Sequence, residues 1–233
     1  MTAVFKREFR SYFQTPVGFV IVAAFALFSG MFFSVVYASG APHVESVVST
    51  MATVVIFAVP FITMRLLSED RRQKVDQVLL TAPVSVYGIV MGKFFAALSL
   101  YAVGFIPTLI FQFIVSLHVT VNWLIYLYAL IGILLLGAVM ISIGMFLSSL
   151  TESPVIAAAL TFAVFLAVLL LGSYASASGY AVLEKVNTAV SFIDRFSGFT
   201  AGVFNAADVV YMLSVSFLFI FLTVRTVEKR RWS

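Results

Sequence analysis

The sequence predicts an all-α, six-span membrane protein, and three observations carry that class: long charge-free apolar runs, an overall composition poor in charge, and basic residues gathered at alternate ends of the runs. The runs cover residues 17–37, 47–64, 94–117, 123–147, 155–172 and 209–224. A bilayer core of ~30 Å takes about 20 apolar residues in a helix, so five of them span it comfortably. The sixth is slightly short, but it borders Asp208 and Arg225, whose polar ends suit the headgroup region.

Hydrophobic residues make up 62% of the 233-residue chain and charged residues 10%, against about 25% charged in an ordinary soluble domain. A soluble fold could not bury that much apolar surface. The net charge of +4 matters less than its placement. Lys6, Arg7 and Arg10 precede the first run, Arg65, Arg71, Arg72, Lys74 and Lys93 lie between the second and third, and Arg225, Lys229, Arg230 and Arg231 follow the sixth. If the runs alternate in direction, only Lys185 and Arg195 fall on the other side. The positive-inside rule then puts both termini and the second loop in the cytoplasm. Such juxtamembrane clusters do not form the surface stripe that nucleic acid requires. The absence of cysteine excludes disulfides and thiolate metal sites.

Taken in chain order, residues 2–15 come first: Val4, Phe5, Phe9, Tyr12 and Phe13 recur at helical spacing opposite Lys6, Arg7 and Arg10. This predicts a helix lying in the interface, with Pro16 turning the chain into the membrane, as a topogenic anchor or as a functional elbow. The first run is too long for a cleaved signal, whose apolar region is about 7 to 15 residues. Ala26, Gly30 and Ser34 sit four apart along it, and Ala159, Ala163 and Ala167 do so along the fifth run. Small residues at that spacing let another helix approach closely, within one protomer or from a second. Pro60 and Pro107 interrupt backbone hydrogen bonding inside the second and third runs and predict a hinge or a kink at each.

The second loop holds the most specific local pattern. Ser68 is a suitable N-cap, Glu69 and Asp70 fall in the first turn where the helix dipole favours them, and Val75, Val78, Leu79 and Ala82 form an apolar stripe opposite Arg71, Arg72 and Lys74. Pro83 stops this helix and Ser85 can cap the next, so residues 68–84 read as a short amphipathic helix hung between two spans. Its stripe needs burial against lipid, neighbouring helix ends or a cytosolic partner. Residues 173–208 are too long for a tight turn. Leu183, Val186, Val190 and Ile193 repeat at helical spacing, followed by Phe196, Phe199 and Gly198-x-x-x-Gly202, which predicts two short helices dipping back from the exterior. Phe192, Ile193, Phe196 and Phe199 would then form either a rigid lid or a gate.

Several function classes are disfavoured. Proton pumps, voltage sensors and many ion-coupled transporters place ionisable residues inside the membrane, and these runs have none; Gln112 is the most polar side chain within them. His43 and His118 fall in loops without a ligand cluster. No zinc-protease or nucleophile-elbow motif occurs. Gly88 to Lys93 fails as a phosphate loop, because three residues rather than four separate its glycines and Phe94 stands where Ser or Thr should hold magnesium. Gly88 and Gly92 read instead as small residues that admit another backbone. Energy for any uphill movement must come from outside this chain.

Phe5-Lys-Arg-Glu-Phe-Arg-Ser-Tyr-Phe13, Thr15-Pro16, Pro60 to Arg65, Leu79-Leu-Thr-Ala-Pro-Val-Ser85, Gly92-Lys93-Phe94, Phe192 to Phe196, Asp208-Val-Val-Tyr211 and Glu228 to Trp232 stand in an order and spacing that span nearly the whole chain. In these segments the sequence resembles the membrane-spanning subunit of ABC-2 type transporters, in particular the gliding-motility-type permeases. The resemblance implies a half-transporter of the type V exporter-like fold in the cell (inner) membrane. It would pair with a second copy or a close relative, through the first and fifth helices. Two cytosolic ABC ATPase subunits would carry ATP and magnesium, and this chain would hold no cofactor and perform no catalysis. An auxiliary membrane protein with an exterior domain is a further implied partner. The second loop would contain the coupling helix that docks on the ATPase, with Glu69, Asp70, Arg71 and Arg72 as register and Val75, Val78 and Leu79 as packing face. The exterior segment would be a re-entrant hairpin at the exit. The sequence departs from the family pattern at Lys74-Val75, where Gly-Thr is common, and at Gln77, where Glu is common. Export or mechanical work driven by a partner's ATP hydrolysis is the leading functional expectation, beside a non-transporting anchor of a motility or surface-assembly machine and a passive channel.

The charge segregation makes a direct prediction. Single cysteines at Ser39 and Ser178 should react with an impermeant thiol reagent from outside the cell, whereas cysteines at Gln73 and Ser233 should stay protected. Labelling of Gln73→Cys from outside would invert the topology.

Overall fold

The computed structural model describes residues 2–40, 43–72, 85–178, 187 and 191–231. Its helices are α1 (Thr2–Gln14), α2 (Pro16–Ala38), α3 (Val44–Thr63), α4 (Ser68–Arg72), α5 (Val86–Gly104), α6 (Ile106–Ser116), α7 (Trp123–Leu150), α8 (Pro154–Ser178), α9 (Phe192–Thr200) and α10 (Ala206–Arg231). No strand occurs among the described residues. Among the described residues, six stretches are long and apolar enough to cross a membrane: α2, α3 continued through α4, α5 with α6, α7, α8, and α10. The chain is a multi-pass, all-α membrane protein. The even number of spans brings α1, the α3–α5 connection and the end of α10 to one end of the bundle, the basic end.

At the basic end, Pro16 opens α2 directly after α1, and Thr15 between them is in extended backbone with its hydroxyl donating back to the Ser11 carbonyl. The corner is tight: a Cβ on Gly18 would lie 2.4 Å from the Tyr12 carbonyl oxygen. At the opposite end Gly40, with φ of 77°, closes the turn after α2 in a conformation that costs glycine little.

The third span differs from the sequence expectation of 94–117. It begins at Val86, where the Ser85 hydroxyl accepts a hydrogen bond from the Gly88 amide, so Lys93 lies within the helix and is 1% exposed. Hydropathy stops at a charge; this helix continues because the charge is paired. The span also breaks at Phe105, and Pro107 falls in the first turn of α6, where its missing N–H costs nothing. The Thr108 hydroxyl lies 2.8 Å from the Phe105 carbonyl oxygen and 2.9 Å from the Tyr126 hydroxyl, which satisfies polar groups at the break. Pro60 is buried in the last turn of a continuous α3, and the Met64 amide still bonds to its carbonyl.

α7 is the axis of the bundle. It packs against α3, α5, α8, α9 and α10, and 67% of its apolar window is buried, against 17% for α2 and 17% for α8. In lipid, apolar helices gain little from leaving water, so close approach and interhelical hydrogen bonds must hold them. Gly137 on α7 admits the Tyr101 ring, whose atoms would lie 2.2 Å from an added Cβ, and the Tyr101 hydroxyl donates to the Ile133 carbonyl at 2.8 Å. Gly144 admits Thr63 of α3 in the same way.

Gly137→Ala should therefore displace Tyr101, break its hydrogen bond and destabilise the fold by about 1–3 kcal/mol, the usual range for overpacking. Thermal unfolding in detergent measures the loss, and the Gly137→Ala/Tyr101→Leu double variant should recover part of it.

Candidate functional site

The described residues at the basic end converge on one buried cation. Lys93 Nζ lies 3.1 Å from Glu8 Oε1 of α1 and 2.8 Å from Asp70 Oδ2 of α4. Arg7 pairs with the same Glu8 carboxylate at 2.5 Å, so Arg7, Glu8, Lys93 and Asp70 alternate in sign. The ammonium is 1% exposed and the two carboxylates 15% and 19%. An ammonium withdrawn from water costs several kcal/mol unless close partners replace the lost hydration, and here two other chain segments, α1 and α4, supply them. Burial pushes the Glu8 carboxyl up, but Lys93 and Arg7 outweigh this and hold it below the usual carboxylate range. Arg7 is raised in turn, chiefly by its bond to Glu8. Burial, and to a smaller degree Glu8, pushes the Tyr12 phenol up, and its hydroxyl donates to the Ile62 carbonyl at 3.1 Å.

A second anchor lies on α7. The Ser148 hydroxyl accepts from the amides of Leu67 and Ser68 at 3.2 and 3.1 Å and donates to the Met64 carbonyl at 3.2 Å. It thereby serves the amides and carbonyl left open between α3 and α4. Ser68 does not act as the expected N-cap: it is the first residue of α4, and its own hydroxyl donates back to the Met64 carbonyl. Arg71 bonds Glu152 at 2.8 Å across the α7–α8 connection, Glu69 lies 3.7 Å from Arg65, and Arg72 is exposed. Between α1 and this segment opens a cleft of about 380 Å³, lined by Arg7, Glu8, Ser11, Tyr12, Arg65, Glu69 and Asp70 among others.

Val75, Val78 and Leu79, the expected packing face of this loop, lie outside the described residues. On the outer surface, Ala159, Ala163 and Ala167 of α8 are exposed. Ala26 and Gly30 of α2 are half-buried and Ser34 is exposed, with Phe111 of α6 3.9 Å from where a Gly30 Cβ would stand. The first small-residue strip is thus partly occupied within the protomer, and the fifth-span strip faces outward.

At the far end, Phe192, Phe196 and Phe199 of α9 are buried and Ile193 is partly so. The Ser191 hydroxyl caps the helix by accepting from the Asp194 amide at 3.1 Å. Phe199 and Phe196 fill a notch at Gly132 of α7, 2.7 and 3.2 Å from where its Cβ would be. Arg195 pairs with Asp208 at 2.7 Å and lies 4.0 Å over the Tyr211 ring, joining α9 to α10. Below α9 a cleft of about 180 Å³ separates Ile193 and Phe196 from Ala52, Ile56 and Leu136. Most of the other short helix expected here lies outside the described residues; of its stretch only Asn187 is described, donating to Asp194 at 2.7 Å.

Lys93 and Glu8 did not stand out as site residues in the sequence. Their signals were present, a lysine against the start of an apolar run and a glutamate within a basic helix, but only folding brings them together.

Because Glu8 has a folded-state pKa below its unfolded value, its contribution is full above about 4.3 and disappears as pH falls through the lowered value. Glu8→Gln should cost about 1.5–3 kcal/mol near neutral pH, the range for a hydrogen bond to a charged group. Unfolding followed against pH should show the gap between wild type and variant closing on acidification. A gap that stays constant with pH would contradict the pairing.

Among comparisons with known proteins, no curated protein matches the chain. The family model described as ABC-2 type transporter matches residues 1–178, which include α1, the first five spans, α4 and Lys93 with both its carboxylate partners. The chain belongs to the ABC-2 type transporter family.

Proposed function

We propose that this chain is the permease subunit of an ATP-driven ABC-2 transporter, with its basic end and both termini in the cytoplasm. A separate cytosolic ATPase supplies the energy and carries ATP and magnesium. The subunit pairs with a second copy or a close relative, in a complex that exports a substrate or transmits mechanical work, as the gliding-motility-type permeases do. One observation carries this reading: the second loop starts from a five-residue helix bound by side chains to α5 and α7 and to the α7–α8 connection. A loop that merely joined two spans would have no need of such bracing, whereas a surface pushed by a partner must pass force into the helices. The outward face of α8, with Ala159, Ala163 and Ala167 exposed, supports pairing through a small-residue strip. The far-end plug of Phe192, Ile193, Phe196 and Phe199 suits a gate, because packed aromatic rings close a path by excluding water. Pro107 beside the break at Phe105 suits a hinge in the third span, whereas Pro60 lies in an unbroken α3 and suits at most a local bend.

The alternative, a non-transporting anchor of a motility or surface-assembly machine, shares every membrane feature and differs in lacking the ATPase. Gentle extraction of the tagged chain should bring down an ABC ATPase. Leu79→Asp, which puts an unpaired carboxylate into the apolar docking face, should reduce the recovered ATPase about tenfold or more, a change equivalent to about 1.4 kcal/mol or more, while the chain still inserts. Recovery of other membrane or surface proteins without an ATPase would favour the anchor.

A further inference from the structure

We propose that Lys93 is a positioning residue that joins three elements into one mechanical body: its bond to Asp70 ties the second loop to the foot of α5, and its bond to Glu8 ties α5 to α1. The inference deepens the reading of the second loop as the surface on which an ATPase acts, and rests on it. α4 has five residues, too few to hold a helical shape or a position by themselves. Its place is set by its tethers. Two of them lead to α7 and its connection to α8, through Ser148 and Arg71. Asp70 makes the tether to α5, at 2.8 Å.

The burial of the four charges assigns different roles to the two carboxylates. Lys93 is enclosed and cannot exchange its partners for bulk water, whereas Asp70 and Glu8 both line the polar cleft between α1 and the loop. Loss of Asp70 leaves the ammonium with Glu8, and Glu8 with Arg7, so every remaining charge keeps an opposite neighbour. The α4–α5 connection is thus removable without leaving a buried charge alone. Loss of Lys93 does the opposite: Glu8 and Asp70 would face each other across the space it filled.

The test uses spin-label pairs, which need no background removal because the chain lacks cysteine. Arg72→Cys with Tyr87→Cys reads the loop against α5, and Ser11→Cys with Tyr87→Cys reads α1 against α5; all three positions are exposed. The wild-type chain should give a single narrow distance for each pair. Asp70→Ala should lose the narrow loop–α5 distance and keep the α1–α5 distance, Asp70→Glu should restore the first, and Glu8→Gln should loosen only the second. If Lys93→Met does not fold, the neutral triple variant Glu8→Gln/Lys93→Met/Asp70→Asn, which buries no unpaired charge, should fold with both distances broadened. A narrow loop–α5 distance in Asp70→Ala, or two narrow distances in the triple variant, would overturn the proposal. The complex isolated through a tag on the ATPase is then measured with a non-hydrolysable ATP analogue and magnesium. The α5 label should shift with the loop label in wild type and lag behind it in Asp70→Ala. Failure to isolate any such complex would defeat the ATPase reading, while the distances in the chain alone would still decide whether Lys93 joins the three elements.

Discussion

The basic end of this protein is organised around one ammonium group that water does not reach. Burying the charge of Lys93 costs several kcal/mol unless it is closely paired, and its partners come from α1, which starts the chain, and α4, which follows the second span. That requirement constrains the neighbouring architecture. α1 has to lie along the foot of α5, the second loop has to return beside it, and α5 has to extend below the apolar part of its span to deliver the lysine. The Phe5, Phe9, Phe13 and Phe19 rings, in successive contact, line the same helix and the start of the next, so apolar packing and ion pairing act together on α1.

Away from that junction the fold is held by closeness. Gly137 and Gly144 on α7 let Tyr101 and Thr63 approach to distances that any side chain would forbid, and hydroxyl groups then find carbonyls or one another across the helices. In a medium where hydrocarbon contact is available to every apolar surface, such steric fit and hydrogen bonding select which faces meet. The central position of α7 follows from its small residues and short polar side chains along more than one face. α2 and α8 sit at the periphery with most of their apolar surface outward, free for lipid or for a second subunit.

The two ends of the molecule contrast in chemistry. At the basic end a network of ion pairs joins α1, α4 and α5. At the far end α9 is fixed by buried phenylalanines against α7 and by the Arg195–Asp208 pair to α10. In the proposed function the ion pairs suit a stiff connection where force enters, and the plug of aromatic side chains above a small cleft suits a closure where the path ends.

The sequence alone determined the class, the six spans and the concentration of charge at alternate ends, because each depends on the free energy of placing a side chain in hydrocarbon or in water, which is local to the residue. The helical spacing of Phe192, Phe196 and Phe199 likewise matches the buried face of α9, while the stripe of the second loop lies outside the described residues. The sequence misplaced the start of the third span for the same reason that it succeeded elsewhere: by hydropathy a lysine ends a membrane helix. Only the tertiary structure could show that Glu8 and Asp70, 85 and 23 positions away from Lys93 by residue number, neutralise it, because pairing depends on distance in space. Likewise the outward face of Ala159, Ala163 and Ala167, and the partial covering of Gly30 by Phe111, follow from which neighbours occupy each side of a helix, and no periodicity along one segment records its neighbours.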